Sequence, residues 1–232
     1  MSPSKRRPPT ILILGLLGSA ACDAPAEPED EDSVGYEAPS PCAPSESGHS
    51  DPYLDCVEYL RSPMESHYNH DLLPEVVFGP PGGTLDTVSL GCGGEMVVFF
   101  DDPIIVDGPG TDFVVFENPF TAFPEPAEVS VSEDGIEWFV FECDPLTLEG
   151  CAGVSPVFAE PGSDLDPQDP MVSGGDLFDL AELGVTRARY LKFRDRSAEY
   201  WATMNRDFCD PGEAGKGGFD LDAAVIIHAE AS

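Results

Sequence analysis

The chain is short of positive charge. Only 11 of its 232 residues are Lys or Arg, whereas 44 are Asp or Glu. Residues 1–21 hold three of the basic residues and no acidic one, so the remainder sets eight basic residues against 44 acidic ones, a formal charge of −36. A protein this acidic repels polyanions, which argues against nucleic acid and against an anionic lipid surface as partners. Two interpretations of the acidic residues stay open: loops that hold divalent cations, and a solvation layer suited to a salty medium.

Catalytic motifs are absent as well. The chain contains no Gly-x-Ser-x-Gly elbow, no phosphate-binding loop and no convincing pair of nucleophile and base. Paired carboxylates can hydrolyse glycosidic bonds. Among 44 acidic residues, however, some pair always qualifies, so that pattern has no specificity. The sequence therefore predicts that the protein is not an enzyme.

A long apolar run is also missing. The apolar stretch near the N-terminus, residues 11–17, is far too short to cross a bilayer as a mature helix. It follows a cluster of three basic residues and precedes the small residues Ser19, Ala20 and Ala21. That order is typical of a secretory signal peptide, which we assign to residues 1–21 and exclude from the fold.

The residue after this signal is Cys22, and this end of the chain resembles the lipobox of bacterial lipoproteins. The resemblance implies lipidation of Cys22. The protein would then be an exported, membrane-anchored lipoprotein that faces the periplasm or the cell exterior. Ordinary cleavage before Cys22 without a lipid is the alternative.

The cysteine count agrees with lipidation. The chain has seven cysteines, and an odd number in an exported protein leaves one thiol over. If Cys22 carries lipid, six remain for three disulfides. No Cys-x-x-Cys spacing indicates a zinc site, so disulfides formed in an oxidising compartment are the better interpretation. Sequence does not determine the pairing; we expect Cys143–Cys151 to close a local loop, followed by Cys42–Cys56 and, by elimination, Cys92–Cys209.

Composition divides the exported chain into three parts. Residues 22–50 are rich in Pro, Glu, Asp and Ser and have almost nothing to bury, which predicts a disordered acidic tether. Residues 51–72 form a lead-in segment with a short helix or a disulfide anchor. In residues 73–232, short apolar runs alternate with Gly, Pro and Asp turns, and Val129 and Val131 alternate with serines. Many strands with almost no helix predict an all-β sandwich; the one helical signal is residues 176–183.

Three of these segments resemble a known fold. They are AEVSVSEDGIEW (127–138), ARYLKFRD (188–195) and GGFDLDAAVI (217–226), and in that order they are similar to the discoidin-like, galactose-binding-like β-sandwich domains. A longer set, VDGPGTDFVVFENPF, GGDLFDLAELG and GGFDLDA, looks like a group of bacterial cell-surface proteins. The resemblance implies a jelly-roll sandwich, often with a structural calcium, and a role in binding carbohydrate or another surface ligand. Fold alone does not establish function.

The loop from Asp107 to Asp112 suits a hard cation. Its glycines let the backbone curl inward, and its two carboxylates and carbonyls offer the oxygens that calcium takes. If residues 112–118 form a strand, Asp112 and Glu117 lie about 17 Å apart and cannot share one ion. The pair Glu117-Asn118 is therefore a separate strand end. The alternative for the loop is a β-turn with acidic flanks.

A second acidic pair is Asp220 and Asp222. At a spacing of two, both side chains face the same way at the start of a strand, so one ion can touch both. We expect a joint calcium site of Asp107, Asp112, Asp220 and Asp222 if the last strand pairs with an early one. The alternative is two solvated carboxylates at a sheet edge.

Candidate ligand-binding residues follow a basic stretch. Five of the eight basic residues outside the signal lie between 187 and 196, where Arg194 and its neighbours suit a carboxylated or sulfated ligand. Tyr200 and Trp201 come next, and exposed aromatic rings stack on sugars. The alternatives are pairing of the basic residues with neighbouring acids, and packing of Trp201 over the rim of the core.

These observations together predict a non-catalytic binding module at the cell surface. Its ligand would be a carbohydrate or another surface polymer, with structural calcium shaping its loops. The first alternative is a structural or adhesion protein that contacts other proteins, and the less favoured one is a glycan hydrolase.

Overall fold

The computed structural model describes residues 33–37, 51–63, 68–83, 85–118, 123–206 and 217–231, and for 33–37 only the backbone. These residues are almost entirely strands and turns. The strands are, in chain order, β1 (Ser33–Glu37), β2 (Cys56–Pro63), β3 (Val88–Ser89), β4 (Glu95–Phe99), β5 (Ile104–Val106), β6 (Phe113–Glu117), β7 (Ala127–Ser132), β8 (Phe139–Val140), β9 (Asp176–Phe178), β10 (Arg187–Ala188), β11 (Tyr190–Asp195), β12 (Asp220–Ile226) and β13 (Ala229–Glu230).

The strands form three antiparallel sheets. The largest has the order β1-β2-β4-β11-β7-β8, the second has β3-β12-β6-β9, and the smallest has β10-β5-β13. A single α-helix, α1 (Ser197–Thr203), lies among the described residues. The prediction of an all-β sandwich is confirmed.

The hydrophobic core is made by one face of each larger sheet. In β11 and β4, for example, Leu191, Phe193, Met96 and Val98 are fully buried in it. The residues between them, such as Lys192, belong to the opposite face, as the two-residue repeat of a strand requires. Side chains from β6 and β12 complete the core from the second sheet. The alternation seen in the sequence therefore decides which face of each strand is buried.

The strand content begins earlier than the sequence predicts. The lead-in segment 51–72 contains β2, and a bulge between Val57 and Tyr59 lets Val57 and Leu60 both enter the core. β1, within the predicted tether, pairs with β2 along its whole length. The core thus includes residues from before position 73, because the sheet accepts any extended segment with correctly spaced apolar side chains.

The helical elements also differ from the expectation. The segment 176–183 is not one helix: β9 occupies its first half, and a 3-10 turn, Leu180–Leu183, occupies the second. Asp179 caps that turn by accepting a hydrogen bond from the backbone N–H of Ala181 at 2.9 Å. The α-helix instead covers residues 197–203, next to the basic stretch. Among the described residues, no helix is long and apolar enough to cross a membrane.

One predicted disulfide lies wholly within the described residues. Cys143 and Cys151 are bonded, which confirms the local loop. Cys56 and Cys92 each form a disulfide as well. Their predicted partners, Cys42 and Cys209, lie outside the described residues, as does the lipidation candidate Cys22.

Phe193 offers a test of where the core lies. It is fully buried on the central strand β11 and stacks on Phe219 at a centroid distance of 5.6 Å. We expect Phe193→Ala to lower the free energy of unfolding by about 3–5 kcal/mol, through lost apolar burial and the cavity left behind. Denaturant unfolding measures this change. The control is Phe158→Ala, because Phe158 is 52% exposed; a loss as large as that of Phe193→Ala would contradict the assignment of the core.

Candidate metal centre

Three carboxylates and one amide converge where β6 ends and β12 begins. Glu117 is the last residue of β6, and Asn118 follows it. β12 runs antiparallel to β6 and starts at Asp220, so its first residues lie beside Glu117. Glu125 comes from the segment that leads into β7. We call Glu117, Asn118, Glu125 and Asp220 the acidic centre.

Local sequence explains how these groups reach the centre. Phe113 and Val115 of β6 belong to the main core, and Glu117 continues their two-residue alternation at the strand end. Glu125 stands between Pro124 and Pro126. Each proline fixes its own φ and removes a backbone donor, so the backbone on both sides of Glu125 is stiff.

The centre is buried and compact. The exposed fractions are 5% for Glu117, 4% for Asn118, 2% for Glu125 and 8% for Asp220. One oxygen from each of the three carboxylates lies within 4.8 Å of an oxygen of the other two. Like charges at this separation repel strongly when little water screens them.

The donors in the described part of the chain satisfy only some of these oxygens. Glu125 accepts a hydrogen bond from the backbone N–H of Gly218 at 2.8 Å, and Asp220 Oδ2 accepts one from Asn118 Nδ2 at 2.8 Å. Among the described residues, no donor reaches Glu117 Oε1, Asn118 Oδ1 or Asp220 Oδ1. A buried acceptor without a partner costs about 1–3 kcal/mol, and more when it is charged. The buried carboxylate oxygens of Glu117 and Asp220 are therefore suited to a positively charged ligand.

The shifts in pKa have the same cause. Burial raises the pKa of Glu117 well above its ordinary value, and Glu125 and Asp220 raise it further. Burial and then Asp220 raise the pKa of Glu125 to about 9, although the Gly218 N–H lowers it. Burial raises the pKa of Asp220 to about 6, against the side chains of Ser89 and Asn118. Each carboxyl therefore resists ionisation unless a positive charge joins it.

No basic side chain supplies that charge within the described part of the chain. The ion pairs found there involve Arg187, Arg196 and His228, none of which contacts the acidic centre. Carboxylate and amide oxygens are the ligands of hard cations. The buried acidic group can therefore hold a metal ion.

Neighbouring groups hold the centre in shape. Asp195, buried beside it, accepts hydrogen bonds from the N–H groups of Gly93 at 2.8 Å, Phe219 at 2.8 Å and Ser197 at 3.3 Å. These bonds fix the start of β12. Gly218 has a φ of +115°, and a Cβ there would lie 2.5 Å from the backbone of Gly91, so only glycine can bring this N–H to Glu125.

The loop that begins at Asp107 has a different character. Asp112 is fully buried, and three protein donors already satisfy its oxygens: the N–H of Gly108 at 2.8 Å, the N–H of Leu180 at 2.7 Å and His228 Nδ1 at 2.8 Å. Oxygens of Asp107, Asp112 and Asp179 also lie within 4.8 Å of one another. Because Asp112 has donors and Asp107 is exposed, this group is a looser candidate than the acidic centre.

The structure does not bring the four expected metal ligands together. In the antiparallel pair, Phe113 lies opposite Ile226 and Glu117 lies opposite Leu221. Asp220 therefore lies beside Asn118, at the other end of the strand pair from Asp112 and about 20 Å from it at about 3.3 Å per residue. The last strand does pair with an early one, but its antiparallel direction rules out a joint site with the Asp107–Asp112 loop.

Asp222 is also separate from the acidic centre. A register shift between Leu221 and Ala223 interrupts the strand pairing at Asp222. Its two carboxylate oxygens accept hydrogen bonds from the N–H groups of Gly82 at 2.7 Å and Gly83 at 3.1 Å. Burial raises the pKa of Asp222 to about 7, although these bonds lower it. Asp222 thus anchors a loop rather than facing the same ion as Asp220.

The three candidate ligand-binding residues do not form a stacking platform. Trp201 is only 4% exposed and packs against Phe123 at a centroid distance of 4.7 Å. Tyr200 is half-buried and meets Trp201 edge-on at 5.1 Å. Arg194 is exposed on β11, between Glu95 and Glu128 on the neighbouring strands. Trp201 therefore packs at the rim of the core, because α1 turns its ring inward.

Sequence reasoning missed Glu125 and treated Glu117 and Asn118 only as the end of a strand. The signal for Glu125 was its position between two prolines directly before a half-buried strand. The convergence itself had no sequence signal. Glu117 and Asp220 are 103 positions apart in the sequence, and only the register of β6 against β12 places them side by side.

The raised pKa values predict how the metal-free protein responds to pH. Glu125 has a pKa of about 9 in the folded state, against an ordinary value of 4.5. Between these values the folded protein binds more protons than the unfolded chain, so the free energy of unfolding falls as pH rises. We expect the melting temperature in EDTA to fall steadily from pH 5 to pH 9, measured by circular dichroism.

Glu125→Gln should flatten this decline, because the amide does not titrate. The matched control is Glu182→Gln, which removes an exposed carboxylate on the Leu180–Leu183 turn and should leave the slope unchanged. A melting temperature that is constant over this pH range in the unsubstituted protein would contradict the buried acidic centre.

Comparison with known proteins leaves the family open. No protein-family model matches the chain, and no curated protein matches its sequence. The candidate centre therefore rests on the geometry of its own residues.

Proposed function

We propose that the protein is an exported, non-catalytic binding module for a carbohydrate or another surface polymer, in which calcium bound at the acidic centre stabilises the sandwich. The observation that carries the proposal is the set of three buried carboxylates with unpaired oxygens and no basic partner among the described residues. A cation at that position would remove the repulsion and satisfy the oxygens together. It would also tie the end of β6, the start of β12 and the segment before β7 to one another.

A cation meets the need better than protons do. A proton shared between two carboxyls satisfies at most two of their oxygens, and the pKa of about 6 means that Asp220 is ionised at neutral pH. A single divalent ion would contact Glu117, Glu125 and Asp220 at once and favour the charged form of each.

The donor set favours calcium among the divalent ions. The acidic centre offers carboxylate and amide oxygens, with no His or Cys among its four residues. Zinc in structural sites takes Cys and His ligands. Magnesium usually keeps several of its waters, whereas calcium accepts six to eight oxygens in flexible geometry. The carboxylates at this strand end therefore suit calcium.

Other features of the chain support a binding role over a catalytic one. The carboxyls with the most perturbed pKa values are 2–8% exposed, so a substrate does not reach them. The secretory signal, the lipobox-like Cys22 and the disulfides fit an exported protein. The segments similar to discoidin-like, galactose-binding-like domains fit a sandwich that binds surface ligands.

Calcium titration of the purified protein tests the centre. We expect saturable binding of an ion by calorimetry and a rise in melting temperature that follows ligand linkage. Glu117→Gln and Asp220→Asn should each weaken calcium binding at least tenfold, because each removes a charged ligand. Near-ultraviolet circular dichroism would establish that the variants are folded.

Asp107→Asn is the matched control, because it removes a carboxylate from the other candidate group. It should leave calcium binding unchanged. Absence of calcium binding would overturn the calcium centre. Loss of binding in Asp107→Asn with retention in Glu117→Gln would move the ion to the Asp107–Asp112 loop.

Polymer binding is tested on a glycan array. We expect the protein to bind at least one class of glycan, and to bind it more weakly in EDTA than in calcium because the metal stabilises the fold. If no glycan binds in calcium while a protein partner is captured and identified, the adhesion alternative would replace the carbohydrate-binding function.

A further inference from the structure

The outer face of the six-stranded sheet carries an unusual set of side chains. Tyr190 and Lys192 of β11 alternate with Leu191 and Phe193, which lie in the core, so they point away from it. Around them lie Tyr59, Trp138 and Arg189. We call Tyr59, Trp138, Arg189, Tyr190 and Lys192 the aromatic–basic face.

Rings hold the cations of this face in place. Lys192 Nζ lies 4.2 Å from the centroid of the Trp138 ring, and the Arg189 guanidinium lies 5.5 Å from that of Phe99. Tyr190 packs against Phe99 at 4.7 Å and edge-on against Trp138 at 6.4 Å. Cation–π contacts favour such positions but do not neutralise the charge.

No carboxylate pairs with these two cations in the described part of the chain. The ion pairs of Arg187 and Arg196 show that nearby basic residues do find partners: Glu133 and Glu230 for Arg187, and Glu128 and Glu199 for Arg196. Lys192 and Arg189 form no ion pair within 4.0 Å among the described residues. Arg61 and Arg206 likewise lie over rings, those of Tyr59 and Trp201, so what sets Lys192 and Arg189 apart is that they share one sheet face with Tyr190 and Trp138.

The neighbouring row of the sheet makes the contrast clearer. Across β2, β4, β11 and β7, the register aligns Arg61, Glu95, Arg194 and Glu128. Their charges alternate, so this row balances itself. The row through Lys192 aligns Tyr59, Val97 and Ser130 with it, and contains no acidic residue. Carboxylates do reach the rings of this face: Tyr59 donates its hydroxyl to Glu95 Oε1 at 2.6 Å, and burial, Glu58 and Asp134 raise the pKa of Tyr190. Among the described residues, none of these carboxylates forms an ion pair with Lys192 or Arg189.

We propose that the aromatic–basic face binds an anionic polysaccharide, with Lys192 and Arg189 contacting its carboxylate or sulfate groups. This inference rests on the proposed function and names the class of its ligand. Half-buried Tyr59, Trp138 and Tyr190 offer apolar ring surface to the C–H groups of sugars.

Long-range charge favours a sparsely charged polymer over the denser polyanions. The strongly negative protein repels nucleic acid and anionic membranes before contact. At about 0.1 M salt, charges beyond about 10 Å are screened. Local cations then recognise a polymer whose charges are spread along a sugar backbone.

The test compares carboxymethyl-dextran with uncharged dextran, which share a backbone. We expect the purified protein in calcium to bind carboxymethyl-dextran, to bind dextran at least tenfold more weakly, and to lose affinity as sodium chloride rises. The double variant Arg189→Gln/Lys192→Gln should bind carboxymethyl-dextran at least tenfold more weakly. Binding is measured by calorimetry.

The control variant is Arg187→Gln, which removes a paired cation of the same stretch and should leave polymer affinity unchanged. Calcium affinity and melting temperature should be the same in all three proteins, which separates a lost ligand site from a lost fold. Equal affinity of the double variant and the unsubstituted protein for carboxymethyl-dextran would overturn the inference and leave the proposed function standing.

Two further outcomes are distinguishable. If the protein binds a neutral glycan but not carboxymethyl-dextran, the inference is overturned while carbohydrate binding stands. If the double substitution abolishes binding to phosphatidylglycerol vesicles and the protein binds no polysaccharide, the face is a membrane contact, and both the inference and the carbohydrate-binding function fail.

Discussion

Buried carboxylates that accept backbone N–H groups are the constraint on which the loops of this protein depend. Four of them each accept at least two such bonds, and they are Asp112, Asp176, Asp195 and Asp222. Most of these bonds join residues far apart in the sequence; those from Gly82 and Gly83 to Asp222 span 140 and 139 positions. Charge-assisted bonds of this kind are stronger than neutral ones. The strongly acidic composition is thus partly structural, because each carboxylate fastens a glycine-rich loop to a strand.

The acidic centre differs from these anchors in its balance of donors and acceptors. Asp176 receives three N–H groups, whereas Glu117, Glu125 and Asp220 together receive one backbone N–H, the Asn118 amide and the side chain of Ser89. The same type of side chain therefore serves two purposes. Where backbone donors surround it, it fastens a loop; where few of the described donors reach it, the buried acidic group can hold a metal ion. The number of hydrogen-bond donors around a buried carboxyl group distinguishes a loop anchor from a candidate metal ligand, whereas the number of acidic residues does not.

The sheets also sort the basic residues. Successive residues of β11 point to opposite faces, so the apolar ones enter the core and the basic ones share the outer face. Register against neighbouring strands then decides which of them meet an acid. Arg194 lies opposite Glu95 and Glu128, whereas Lys192 lies over the Trp138 ring. The basic residues between 187 and 196 therefore lie in different rows of the sheet, and only the row of Arg194 also contains acidic residues.

Much of the architecture could be predicted from local pattern. Alternation in residues 127–132, the Asp-Gly turn after them and the scarcity of helix predict an all-β sandwich, since these signals act over a few residues. The lead-in β2 was missed because its bulge breaks the two-residue repeat between Val57 and Leu60. Helix α1 was missed because it is only seven residues long and no side chain caps its N-terminus, so the sequence shows no start signal for a helix.

The sequence by itself determined the fold class, the acidic charge and the local Cys143–Cys151 bond, because each depends on composition or on residues near one another in the chain. Only the tertiary structure decided which acids meet. The antiparallel register of β6 and β12 places Glu117 beside the start of β12 and carries Asp112 to the far end. Helix α1 places Trp201 at the rim of the core. Long-range pairing sets these positions, and no short segment of the sequence encodes it.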